Sequence, residues 1–143
     1  MTKPLTGRCL CGAVTFTATA APVMAGHCHC IDCRKSSGTG HCTHAMVPAT
    51  SYSAKGALAS YAHPADSGNF VERFFCPTCG SAIHSINSGM PGMIAIRASS
   101  LDDPNVVTPQ MIVYASRAPA WDVMDPALPS FVEMPPGGPP LPG

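Results

Sequence analysis

Apolar and polar side chains alternate along short stretches of this chain instead of recurring every three or four residues. Ala13-Val-Thr-Phe-Thr-Ala-Thr does so directly behind Gly12. Phe70-Val-Glu-Arg-Phe-Phe, Ser81-Ala-Ile-His-Ser-Ile, Met93-Ile-Ala-Ile-Arg and Gln110-Met-Ile-Val-Tyr-Ala are further runs rich in β-branched or aromatic residues. Such runs, punctuated by turn formers at short intervals, predict a mainly β domain built from short strands. One short helical turn is expected, with Asp32 able to cap its start, Cys33-Arg-Lys-Ser-Ser continuing it and Gly38 ending it.

Composition narrows this picture. A chain of 143 residues is long enough for one modest core, and only 11% of it is charged, with 13 Gly and 16 Pro, which disfavours long amphipathic helices. From Pro126 onward proline and glycine dominate and little is left to bury. The expected organisation is one domain over residues 1–130 followed by a Pro/Gly-rich tail over 131–143.

Lys plus Arg and Asp plus Glu each number 8, giving zero formal charge and a pI near 7.0. No basic field is available to grip nucleic acid or an anionic membrane. The segment Met1-Thr-Lys-Pro-Leu-Thr-Gly-Arg has no apolar run of signal-peptide length, and no stretch approaches a membrane span, so a cytoplasmic protein is expected. In a reducing compartment, closely spaced cysteines serve as zinc ligands or redox groups more often than as structural disulfides.

Eight cysteines fall into the clusters Cys9-x-Cys11, Cys28-x-Cys30-x-x-Cys33 and Cys76-x-x-Cys79, with Cys42 left over. Such spacings set thiolates side by side on one tight turn, which suits a tetrahedral zinc ion. Seven grouped thiols divide as four plus three. Joining Cys9 and Cys11 to Cys76 and Cys79 would tie an N-terminal strand to a distant hairpin, a stabilising long-range closure with no open coordination position. Cys28, Cys30 and Cys33 would leave such a position, open to a water of lowered pKa or a substrate thiolate. Arg34 and Lys35 stand beside them to offset negative charge.

Gly7-Arg-Cys-Leu-Cys-Gly-Ala-Val, His27-Cys-His-Cys-Ile-Asp-Cys-Arg-Lys-Ser-Ser-Gly and Phe75-Cys-Pro-Thr-Cys-Gly-Ser, in this order and spacing, resemble the glutathione-dependent formaldehyde-activating enzyme family. Centromere protein V shares the domain. Ala98-Ser-Ser-Leu-Asp-Asp-Pro and Ala118-Pro-Ala-Trp extend the resemblance, which covers roughly residues 5 to 130. It implies a β-tent domain, a complex sandwich-like fold, with two zinc ions. One would be structural at Cys9, Cys11, Cys76 and Cys79, the other catalytic at Cys28, Cys30 and Cys33. The implied reaction adds glutathione to formaldehyde to give S-hydroxymethylglutathione, formally a carbon–sulfur lyase run in reverse. Arg34 and Lys35 would meet the carboxylates of glutathione or a similar small thiol, with Arg73 or Arg97 as further candidates. The alternative is a non-catalytic zinc module, a glutathione or zinc carrier or a protein-interaction domain. The sequence sets no oligomeric state.

The remaining residues have plainer readings. Where Cys28 and Cys30 point to one side of an extended strand, His27 and His29 point to the other, so at most one of them is expected near substrate. His41, His44, His63 and His84 are read as hydrogen-bonded or surface imidazoles, any one of which the fold could turn into a proton donor. Cys42 is read as a small buried residue ahead of a fourth ligand, Trp121 as packing the terminal segment, and Asp102-Asp103-Pro104 as a turn.

Overall fold

A computed structural model describes residues 3–135 of the chain; the part of the expected tail from residue 136 onward lies outside the described residues. The strands are β1 (Leu5–Arg8), β2 (Thr15–Ala18), β3 (Met24–Cys28), β4 (Cys42–Pro48), β5 (Tyr52–Lys55), β6 (Ala59–Pro64), β7 (Phe70–Phe75), β8 (Ala82–Asn87), β9 (Met93–Arg97) and β10 (Ile112–Val113), with helix α1 at Ile31–Ser37 between β3 and β4. The fold is mainly β, as the alternation of the sequence predicts. The strands form two sheets, a small one in the order β1-β2-β5 and a large one in the order β10-β3-β4-β9-β8-β7-β6. Neighbours are antiparallel except β10, which lies parallel to β3.

Period two decides what each face of the large sheet does. Ala45 and Val47 of β4 and Ile94 and Ile96 of β9 face the small sheet and pack with Leu5, Phe16 and Ala18. Val14, Val47, Ile83 and Ile96 are completely buried, and full burial stabilises each by about 1.5–3 kcal/mol. The intervening residues, Met46 and Ala95 among them, face the other way. A bulge between Phe74 and Phe75 shifts the β7–β8 register, so that consecutive Ile83 and His84 both reach the core side.

Strands over Phe70–Phe75 and Met93–Arg97 lie where the sequence puts them, and Cys76–Cys79 forms the turn of the β7–β8 hairpin. Two local expectations change. The helix is capped by the Cys30 side chain, which accepts a hydrogen bond from the Cys33 N–H at 3.3 Å, while Asp32 sits in the first turn. Gly38 does end it, in the left-handed conformation at φ 82°. The run at Gln110–Ala115 yields only the two-residue β10, because Tyr114 turns the chain at φ 55°. Past Pro126 the chain returns to β10: Ile112 N–H donates to the Pro129 carbonyl and Phe131 N–H to the Ile112 carbonyl, each at 2.9 Å. No helix among the described residues is long and apolar enough to cross a membrane.

Candidate functional site

Two tight turns bring the first cysteine group together. Gly12, at φ 82°, closes the turn between β1 and β2, and Gly80, at φ 78°, closes the one between β7 and β8. Cys9, Cys11, Cys76 and Cys79 meet there with their sulfurs all within 4.8 Å of one another. Cys9 and Cys11 Sγ are 3.6 Å apart and Cys11 and Cys76 Sγ 3.8 Å. Four sulfurs at about 2.3 Å around a tetrahedral zinc ion stand about 3.8 Å from each other, so the group fits such an ion. The Val14 N–H donates to Cys9 Sγ at 3.2 Å. The Ser81 hydroxyl and backbone hold the Cys79 thiol down at about 5, which favours the thiolate a metal needs. None of these four cysteines lines the cavity described next.

The second group lies where β3 runs into α1. Cys28 ends the strand, Cys30 caps the helix and Cys33 is buried in its first turn. Their sulfurs also lie within 4.8 Å of one another. With no counter-charge among them, the three thiols share one ionisation. Hydrogen bonds from Cys28 and Cys33 pull Cys30 down to about 2, and donating to Cys30 pushes Cys28 up to about 12. Both cysteine groups can thus hold a metal ion, the second with room beside it. Cys33, Cys42 and His44 form a further donor group sharing Cys33, with His44 Nε2 3.7 Å from Cys33 Sγ. Cys42 is buried as expected and donates to the Cys33 carbonyl at 2.9 Å. A separate hydrogen bond from the Cys33 thiol brings it down to about 4.

These thiols open onto a cavity of about 540 Å³ on the outward face of the large sheet. One row of paired residues crosses its floor over five strands: Arg73, Ser85, Ala95, Met46 and Met24. On the same face, His44, paired with Gly26, lies one step further along, and Cys28, paired with Cys42, one step beyond that. The start of α1, the turn at residues 65–69 and the segment from Met111 to Arg117 form the walls. Arg34 and Lys35 do not line the cavity. Arg73 and Arg117 do; the Arg73 guanidinium is close enough to help lower Cys30, and its Nε is buried with no partner among the described residues. Arg97 is buried beneath α1, where it donates to Ser36 Oγ at 3.3 Å.

His27 and His29 share the face opposite Cys28, as strand alternation requires, and both rings meet His41 edge-on. The His27 imidazole lies 2.8 Å from Thr43 Oγ1, and burial lowers its pKa to about 4. His29 is 1% exposed and places Nδ1 2.9 Å from the Gly40 carbonyl and 3.4 Å from Asp122, which also accepts from His41 at 2.8 Å. A Cβ at Gly40 would collide with the Asp122 carboxylate, so glycine is what admits this clamp behind the thiols. Trp121, at 68% exposed, neither lines the cavity nor packs the core, and Asp103 caps the turn at Pro104–Val106 as a turn reading requires.

Two cavity residues were poorly visible in the sequence. His44 shares a face with Cys42 by strand alternation, a signal usable once β4 is placed. Tyr114 gave none: it lines the cavity from the left-handed conformation at φ 55°, a strained position for a non-glycine residue, with the Arg117 guanidinium 5.0 Å from its ring centroid.

Comparison with known proteins accords with this geometry. A Halomonas elongata protein that carries a glutathione-dependent formaldehyde-activating enzyme name is 28% identical over 123 residues, covering 82% of this chain and 78% of the relative. A crystal structure of a Rhodobacter sphaeroides protein matches with a TM-score of 0.56 and 24% identity over 73% of this chain and 91% of that one, a likeness of fold alone. The family model described as glutathione-dependent formaldehyde-activating enzyme matches residues 4–117. The chain belongs to the glutathione-dependent formaldehyde-activating enzyme family.

Proposed function

We propose that the protein joins a small thiol of the glutathione kind to an aldehyde, formaldehyde being the one its family is named for, and also cleaves the adduct. In the forward direction the thiol sulfur bonds to the carbonyl carbon and the thiol proton ends on the carbonyl oxygen; the reverse is a carbon–sulfur lyase reaction. The observation that carries this reading is the set of three thiols, Cys28, Cys30 and Cys33, at a cavity that also holds the Arg73 guanidinium, whose buried Nε has no partner among the described residues.

Zinc suits both cysteine groups, because all-thiolate donors favour a soft or borderline ion of tetrahedral habit. A zinc ion at the three-cysteine group supplies Lewis acidity, which favours a thiolate over a thiol at neutral pH and polarises a carbonyl. The protein's own residues do the rest. Arg73 takes a carboxylate of the thiol and fixes its approach. His44 and Tyr114, both at the cavity wall, are the groups able to hand a proton to the forming alkoxide and take it back on cleavage. The walls hold both partners close and limit water, the source of most of the advantage in an addition of this kind.

The test is the rate of glutathione–formaldehyde exchange, followed by NMR exchange spectroscopy. Wild-type protein should accelerate it, and Cys30→Ala should remove at least about 10²-fold of that acceleration while the circular dichroism spectrum is kept. Identical rates with and without wild-type protein would overturn the reading. The shared donor group of Cys33, Cys42 and His44 favours a second reading, a carrier of metal or thiol. A carrier binds glutathione and leaves the exchange rate unchanged.

A further inference from the structure

The cavity has two halves of different chemistry. Over β7 and β8 it is polar, with Arg73, Ser85 and Asn87 on the strands and Ser67 and Asn69 on the turn before them. Over β3, β4 and β10 it is mostly apolar, with Met24, Met46, Val113 and, just before β10, Met111; the polar groups on that side are His44 and Cys28, next to the other thiols. Met90 and Met134 add to the lining, so five of the chain's eight methionines meet in one cavity. That concentration needs an explanation, since a site for formaldehyde alone has no use for a thioether wall.

Charge points the same way. Of the two guanidinium groups at the cavity, Arg117 is engaged, with Nη1 2.7 Å from Asp66 Oδ2 and Nη2 3.5 Å from Glu133 Oε2. Arg73, whose buried Nε has no partner among the described residues, stands in the polar half. Volume allows both halves to be filled at once, because about 540 Å³ lies well inside the range that accommodates a drug-sized ligand. Small residues keep the floor open between them. Ala95 sits between Met46 and Ser85, and a Cβ on Gly26 would come within 3.2 Å of Met111.

We infer that the aldehyde this protein handles carries a hydrocarbon chain, which lies on the methionine wall while the thiol's peptide body occupies the Arg73 half. This rests on the thiol–aldehyde reading above and adds its substrate class. Methionine suits the task, being unbranched, polarisable and able to repack around chains of differing shape. The two halves meet at Cys28, Cys30 and Cys33, where the carbon–sulfur bond forms and the thiol proton passes to the carbonyl oxygen, with no oxidant or reductant required.

Two measurements on the intact, zinc-supplemented protein test it. In the first, exchange catalysis with glutathione is compared for formaldehyde and hexanal. Each buried methylene favours binding roughly fourfold, so even partial burial of the chain should make kcat/KM, divided by each aldehyde's own uncatalysed rate constant with glutathione, at least about tenfold higher for hexanal than for formaldehyde. Ala95→Leu, which fills the floor beside Met46, should lower that hexanal-to-formaldehyde ratio by about tenfold or more. In the second, S-hexylglutathione and S-methylglutathione, which do not turn over, are titrated calorimetrically; the hexyl compound should bind at least about tenfold tighter, again lost in Ala95→Leu. Catalysis confined to formaldehyde, with equal affinity for the two thioethers, would overturn this inference and leave the function standing. Absence of catalysis with either aldehyde, with neither thioether bound, would overturn both.

Discussion

The corner made by Cys9, Cys11, Cys76 and Cys79 and the cavity group made by Cys28, Cys30 and Cys33 put the same side chain in opposite settings. The corner joins turns of the two sheets, with Cys11 and Cys76 65 residues apart in sequence, has four sulfurs, and contributes no residue to the cavity. The cavity group is assembled from one continuous stretch, has three sulfurs, and opens onto about 540 Å³ of cavity. A donor set drawn from distant segments has its main effect on the fold, because closing it constrains the chain between them. A set drawn from adjacent residues closes almost nothing. Its cost of assembly is met locally by the helix cap at Cys30, and it is free to serve chemistry.

Removing one ligand from each site breaks the comparison most severely. Structural zinc contributes on the order of 10 kcal/mol to small domains, comparable to the whole stability of a domain this size. Cys76→Ser should therefore give an unfolded or aggregated chain by circular dichroism, whereas Cys30→Ser should stay folded. Equal loss of structure in both would erase the distinction. Graded chelation gives the same contrast without mutation. Bound zinc should fall from two per chain to one with the spectrum unchanged and catalysis gone, and the second ion should leave only as the fold melts.

A smaller effect separates the corner's neighbourhood from the cavity. Gly7 in β1 lies against the Phe16 ring and the Ser100 carbonyl, with no room for a Cβ. Gly7→Ala should cost about 1–3 kcal/mol in chemical denaturation, yet leave exchange kinetics of the folded protein intact. Altered kinetics at full folding would show that the two regions are coupled.

The smallest effect is acidic. Burial holds His84 near 4, against about 6.5 when unfolded, with Tyr52 hydroxyl at 2.9 Å and Phe74 stacked on its ring. Between those values the unfolded chain binds a proton that the folded chain refuses. His84 therefore stabilises the fold fully above about pH 6.5, and that contribution is lost as pH falls toward 4. Denaturation midpoints of His84→Gln should fall less steeply over this window than those of wild type; parallel slopes would remove His84 from the account.

Legibility in the sequence followed the range of the interactions. The grouping of the thiols, the β7–β8 knuckle, the end of α1 at Gly38 and the mainly β character are set within a few residues by spacing, turn chemistry and period-two alternation. Those signals survive in a linear reading. The opposing faces of His29 and Cys28 were legible for the same reason. Arg34 and Lys35 looked suited to substrate because they are adjacent in sequence to the cysteines, but α1 directs them away from the cavity.

The chain by itself determined which atoms could hold metal, since cysteine spacing fixes local geometry whatever surrounds it. Only the tertiary structure decided what stands opposite them. Arg73, Ser85, Ala95, Met46 and Met24 become one cavity floor through strand register alone. Register is set by long-range pairing and by the bulge at Phe74 and Phe75, and a one-residue slip would send that row to the core and the core residues to the cavity.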